Sequence, residues 1–289
     1  LKRSLLLLAP LLLGTGVNQL NVLLSRLLAS FLPHGAQSFL YYAQRMVEIP
    51  QGMFALAVAS AALPSLAKLR SRGEDAEAKA MLRHSLRLSL FVAVPASAAL
   101  AALAEPIVTV VFARGAFGTN EVAGTARALV WMALGVSAVA SVHPVVRMFY
   151  AYGDTRTPVL CGALNLAVFL GLGVSLLSAL SHEAIALATS AASLAQLARL
   201  LALLRRRLGD LGLREVAVSL ARALAASLVM AGSVHLIARF GEWQRGGNDP
   251  RNLAVLALSI GAGVAVYAAA SRLLRSTELA ELIAATDRG

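Results

Sequence analysis

The chain has 289 residues, of which 58% are hydrophobic and only 14% charged, with a mean hydropathy of +0.72; soluble domains carry about 25% charged residues, so water is excluded as its main solvent. Its net charge of +11 would make nucleic acid a candidate partner for a soluble protein. Here the cations collect in short segments between apolar runs and no basic groove with interleaved aromatics is present, so no nucleic-acid partner is read. The single cysteine, Cys161, lies in an apolar run and excludes a disulfide or zinc framework.

The apolar runs are near the length that a helix, rising 1.5 Å per residue, needs to cross roughly 30 Å of hydrocarbon. The alternating segments of an outer-membrane barrel are missing. The fold class is therefore all-α: a polytopic integral membrane helix bundle of about eight transmembrane helices. Spans are predicted over residues 5–32, 38–67, 84–112, 123–151, 157–180, 183–204, 215–239 and 252–274. The first is too long for a signal-peptide core, and a start at Leu1 rather than Met points to a fragment. One set of connecting segments carries Lys2, Arg3, Lys68, Arg70, Arg72, Lys79, Arg83, Arg156, Arg205, Arg206, Arg207, Arg214, Arg272, Arg275 and Arg288; the other holds Arg114, Arg245 and Arg251. This bias places both termini in the cytoplasm.

Polar residues inside hydrocarbon cost free energy and mark candidate sites. In the first span Thr15, Asn18, Asn21 and Ser25 share one helix face, flanked by Gln19 and by Arg26, whose place near the outer interface is explained by snorkelling. In the second, Tyr41, Gln44, Glu48 and Gln51 share a face, Arg45 and Glu48 are spaced to pair, and Pro50 is expected to bend the helix. The amides read equally as cavity lining and as interhelical glue. Arg45 reads as functional, because a guanidinium is shaped for bidentate contact with phosphate or carboxylate oxygens.

Between the second and third spans, Gly73-Glu74-Asp75 and residues 76–82 read as a short surface helix, a connector at the headgroup boundary feeding the third span. In the fourth span His143, Arg147, Tyr150 and Asp154 follow one face towards the cytoplasm; Arg147 is a candidate gate or headgroup contact, with snorkelling or pairing to Asp154 as the equal alternative. Asn165 stands alone in the fifth span, and Thr189, Ser193 and Gln196 form a stripe in the sixth, with packing the default for both. The seventh and eighth spans are almost wholly apolar and read as scaffold before groove, and Trp243 in the loop between them suits an interfacial anchor. The five histidines lack metal-ligand spacing, and neither a nucleophile–base set nor a phosphate-binding glycine loop is found, so no enzyme, cofactor or metal is expected.

Three motifs carry a resemblance: Tyr41-Tyr42-Ala43-Gln44-Arg45-Met46-Val47-Glu48-Ile49-Pro50-Gln51-Gly52 with Ala62-Leu63-Pro64-Ser65-Leu66, then Phe112-Ala113-Arg114-Gly115-Ala116-Phe117, then Phe149-Tyr150-Ala151-Tyr152-Gly153-Asp154-Thr155-Arg156-Thr157-Pro158. In this order the chain resembles the MurJ/MviN family of lipid II flippases. The resemblance implies the second lobe, helices seven to fourteen, of an alternating-access flippase whose first lobe is missing from this chain. It implies a six-span lobe over 1–204 with the cavity lined from 1–67, and over 205–289 two added spans, matching the family's lipid-tail groove, with a cytoplasmic tail. The implied cargo is undecaprenyl-diphosphate-linked disaccharide pentapeptide, the implied surroundings are the lipids of the bacterial inner membrane, and the implied process is cell-wall biogenesis.

By that resemblance Arg45 matches a cavity arginine, with Glu48, Gln44, Asn18 and Asn21 beside it. Gly153 to Pro158, with Asp154 and Arg156, reads as a tight cytoplasmic turn or part of a gate. Asn165 matches one amide of a sodium site whose carboxylates the first and fifth spans lack, which leaves membrane potential as the expected coupling. The alternatives are an exporter of another polyprenyl-linked oligosaccharide or of a drug, and a non-transporting scaffold for cell-wall synthesis.

Overall fold

The computed structural model describes residues 19–59, 66, 68–70 and 72–286, and among them all regular structure is helical. In chain order the elements are α1 (19–30), α2 (Ala36–Ala59), α3 (Asp75–Ala102), α4 (Ala104–Phe112), α5 (Thr119–Ala151), α6 (Arg156–Leu180), α7 (His182–Leu208), α8 (Leu213–Ala238), α9 (Pro250–Leu273) and α10 (Thr277–Thr286), with one turn of 3-10 helix at Trp243–Arg245. Six of the described helices, α3 and α5 to α9, are long and apolar enough to cross a membrane. They correspond to the third through eighth expected spans. The 24-residue α2 falls outside that set, because Gln44, Arg45, Glu48 and Gln51 interrupt its apolar sequence. Thr15 and Asn18, on the first expected span, lie outside the described residues.

Two local departures from the expected elements have physical causes. Residues 76–82 are not a separate surface helix: α3 starts at Asp75 and runs on without interruption, with Ala78 and Leu82 buried in one cluster with Leu204 and Leu211. The apolar spacing there faces the bundle rather than a headgroup layer. The expected third span is also broken at Leu103, between α3 and α4. Pro106 cannot donate to the carbonyl four residues back, and its ring would clash there, so the helix stops and restarts.

Polar side chains set the starts of α5, α6 and α9. The Glu121 carboxylate accepts the Gly118 amide at 2.8 Å at the head of α5, and Asp249, followed by Pro250, accepts the Arg251 amide at 2.9 Å to start α9. Before α6, Gly153 takes φ 72°, and Asp154 Oδ1 accepts the amides of Arg156 and Thr157 at 3.1 and 3.0 Å. This is the tight turn expected of that motif. Trp243 folds back rather than reaching outward: its indole N–H donates to the Ala238 carbonyl at 3.0 Å, closing the end of α8.

Helices pack through small residues, as expected where no hydrophobic force separates helix from lipid. A Cβ on Gly135 of α5 would lie 2.9 Å from the Ser190 Cα of α7, and the Ser190 hydroxyl donates to the Trp131 carbonyl at 2.6 Å. One buried cluster joins α1 to α7; a second joins α3, α5, α6, α7 and α8 towards the arginine-rich end; a third joins α3, α8 and α9. Leu160, Leu228 and Val264 are among the large apolar side chains turned outward.

Candidate functional site

Helix α2 has two faces. Ala43, Met46 and Val47 are buried against the bundle, while Tyr41, Gln44, Glu48 and Gln51, the face read from the sequence, line a cavity of ≈ 1080 Å³. The opposite walls come from α1, α5, α6 and α7, which contribute Asn21, Ser25, His143, Tyr150, Asn165, Thr189, Ser193 and Gln196. Four of the expected cavity residues, Arg45, Glu48, Gln44 and Asn21, therefore share one space; Asn18 lies outside the described residues.

Arg45 Nη1 donates to Glu48 Oε2 at 2.7 Å, with 54% and 43% of the two side chains exposed. Those exposures matter because they leave the pair in contact with the cavity rather than sealed as a packing bridge. The guanidinium also sits over the Tyr41 ring, 5.0 Å from its centroid, a cation–π contact that holds it against the wall. Next in sequence, Tyr42, edge-on to Tyr41 with centroids 5.6 Å apart, also meets Phe112 and Phe117 at centroid distances of 4.7 and 5.2 Å. The first two sequence motifs thus touch, with an aromatic cluster setting the position of α2 behind Arg45. Arg26, read from the sequence as lying near the outer interface, is also among the residues that line the cavity. It adds a second guanidinium to this wall.

Asn165, alone in its span and read there as hydrogen-bonded packing, is the hub of an amide chain. Its Oδ1 accepts Asn21 Nδ2 at 2.8 Å and its Nδ2 donates to Gln196 Oε1 at 3.0 Å, tying α1, α6 and α7 together. Asn21 Oδ1 is buried without a partner among the described residues. Thr189 and Ser193 donate to backbone carbonyls of their own helix, 2.8 and 2.9 Å away. The sequence signal for the hub was present: amides isolated in apolar runs need partners, and in lipid these must be other spans.

The candidate gate residues separate. His143 and Tyr150 line the cavity, whereas Arg147 and Asp154, on the same predicted stripe, do not, and neither does Arg156. Asp154 is committed to the turn before α6, where the Thr157 hydroxyl donates to it at 2.8 Å and Arg207 of α7 pairs with it at 2.8 Å. Burial pushes its carboxyl up, but the Thr157 amide and hydroxyl, Arg207 and the Arg156 amide together hold it below the ordinary range. Alongside, the Tyr152 hydroxyl donates to Asp75 at 2.7 Å, joining α3 to the end of α5. Burial and that carboxylate push the phenol up to about 12. Glu183, at the head of α7, accepts from Arg127 and the Trp131 indole at 2.9 and 3.0 Å.

The fold and cavity define a multi-pass helical membrane protein built around a polar space with two arginines on its wall. The chain belongs to the lipid II flippase MurJ family, whose model matches residues 1–246. It is 37% identical over 122 residues to the probable lipid II flippase MurJ of Haemophilus influenzae, an alignment covering 40% of this chain and 24% of that protein. It is 36% identical over 137 residues to the corresponding Rhizobium meliloti protein, covering 47% and 25%. A solved structure, a lipid II flippase MurJ in an inward closed conformation, superposes with a TM-score of 0.75 at 22% identity, over 98% of this chain and 55% of that one. The fold is that of this flippase, and the chain spans about half its length.

Proposed function

We propose that this chain forms one side of a transport cavity that carries lipid II, the diphosphate-linked peptidoglycan precursor, across the bacterial inner membrane by alternating access. The reading rests on Arg45, held on the cavity wall by Glu48 and Tyr41 yet open to the cavity. A diphosphate cannot enter hydrocarbon without counter-charge and polar partners. Arg45 and Arg26 supply the charge, and Gln44, Asn21 and the amide chain supply hydrogen-bonding groups for a sugar or peptide.

In this reading the polyprenyl tail stays in lipid, beside the apolar α8–α9 pair, and the arginine-rich ends of α7 and α9 face the cytoplasm. Asp154 and Arg156 belong to a structural turn at that end, and the work is transport rather than catalysis.

The decisive test is Arg45→Ala in the protein as encoded in its native gene, read as export of labelled lipid II in cells depleted of other flippases. Loss of export with normal membrane abundance is expected. Undiminished export would remove the cationic-cavity reading.

A further inference from the structure

The segment after α9 makes contacts that the transport reading leaves unused. At the end of α9 the chain reverses through Arg275, at φ 53°, with the Ser276 amide donating to the Ser271 carbonyl at 2.9 Å. Long side chains seldom occupy this left-handed position, which usually falls to glycine. The reversal sends α10 back across α8 towards α3. There Glu278 is buried, with 2% exposure, and its carboxylate gathers Arg87 of α3 at 2.7 Å, Ser219 of α8 at 2.8 Å and Ser276 at 2.7 Å. Arg87 also donates to the Thr277 hydroxyl. A weaker tie, His84 to Glu281 at 3.5 Å, lies outside this cluster, with both side chains about half exposed.

Helix α9 otherwise packs mainly on α8 and reaches α3 through the Tyr267 hydroxyl, which donates to the Phe91 carbonyl at 2.6 Å. Its opposite end is pinned separately. The Gly247 amide donates to the Ala113 carbonyl at 3.1 Å, and fully buried Asn252 accepts the Glu242 amide at 2.8 Å and donates to the Glu242 and Gly246 carbonyls at 2.9 and 3.0 Å. The α8–α9 pair is thus fixed at one end by a backbone clasp; at the other, α10 carries the ties to α3, with Glu278 its buried carboxylate, and Arg222 of α8 donates to the Arg275 carbonyl at 3.3 Å.

We propose that residues 276–281 are a latch: Glu278, bound to Arg87 and Ser219, fastens the arginine-rich end of α9 to α3, and its release lets that end swing outward about the pinned loop at 242–252. A carboxylate this buried must keep its charged partner, so loss of Arg87 opens the contact, whereas loss of Ser219 leaves the ion pair and loosens it. Glu278, Arg87 and Ser219 are positioning residues in this scheme. The inference stands on the packing alone and does not depend on what the cavity carries.

The test is a distance measurement in the full chain reconstituted in lipid bilayer discs. Spin labels are placed at Ala76, exposed at the start of α3, and Leu273, 84% exposed at the end of α9. A control pair joins Ala76 to exposed Ala198 on α7. With Glu278 intact a single narrow distribution is expected for both pairs. Glu278→Ala is expected to add a longer-distance population to the Ala76–Leu273 pair alone. Ser219→Ala, which keeps the ion pair and is the milder variant if Glu278→Ala does not fold, is expected to add a smaller one. An unchanged Ala76–Leu273 distribution in the folded variants, or equal broadening of the control pair, overturns the latch.

Discussion

Asn21 and Asn165, 144 positions apart, share a 2.8 Å hydrogen bond, and the same Asn165 amide holds Gln196 at 3.0 Å. Asn165 is thereby the contact through which α1 stays registered on α6 and α7 along the cavity wall. Interhelical hydrogen bonds in membranes are worth about 0.6 kcal/mol each. Asn165→Ala is therefore expected to destabilise the protein by roughly 1 kcal/mol, read by thermal unfolding in detergent. A double-mutant cycle with Gln196→Ala should show coupling; strictly additive losses would mean that the bond carries no energy.

The approach of α5 to α7 leaves no space for a side chain at Gly135, where an added Cβ would stand 2.7 Å from the Ser190 hydroxyl and 2.9 Å from its Cα. Gly135→Val should cost about 1–3 kcal/mol through overpacking. The backbone on the far side cannot yield as a flexible side-chain tip would. A melting temperature equal to that of the unaltered protein would show that the helices can separate freely there.

Asp154 serves as cap and ion-pair partner at once. Asp154→Ala should lower stability by about 0.5–2 kcal/mol, the ordinary cost of a lost helix cap, and Asp154→Asn, which can still cap, by less. The two variants are compared by thermal unfolding at neutral pH. Equal losses would assign the effect to the Arg207 pair rather than to the cap.

Glu278 predicts a pH dependence. Burial pushes its carboxyl up, but the hydroxyl of Ser276, the helix backbone, Arg87 and Ser219 outweigh it and hold the group at about 2. Because the folded value lies below the unfolded value of about 4.3, its contribution to stability is complete above the unfolded value. It is lost as the pH falls from there through about 2. Thermal stability measured between these limits should fall less steeply for Glu278→Gln than for the unaltered chain. Parallel curves would show that the carboxylate is not held down.

The membrane class, the order of the spans and the cavity-facing stripe on α2 were legible in the chain itself. Each depends on local chemistry: a run of Leu, Ala and Val partitions into lipid by its own length, and the positions of Tyr41, Gln44, Glu48 and Gln51 follow from helix periodicity alone. The Arg45–Glu48 pair was legible for the same reason, since both groups sit on one helix three residues apart. The turn at Gly153 and Asp154 follows equally from its own residues.

The tertiary structure alone decided which distant groups meet. Asn165, alone in its own span, became the hub of three helices, Arg26 joined the cavity lining, and Glu278 left an apparent tail to become a buried ligand of Arg87. Residues 76–82 became the start of α3, with Ala78 and Leu82 buried in the cluster that holds Leu204 and Leu211. Partners 144 or 191 positions away are set by helix packing, and packing depends on the fit of small residues such as Gly135 and Gly263 across whole interfaces rather than on any local pattern. The sequence by itself therefore determined what the solvent is and which face of a helix is polar, and only the assembled bundle determined what that face encloses.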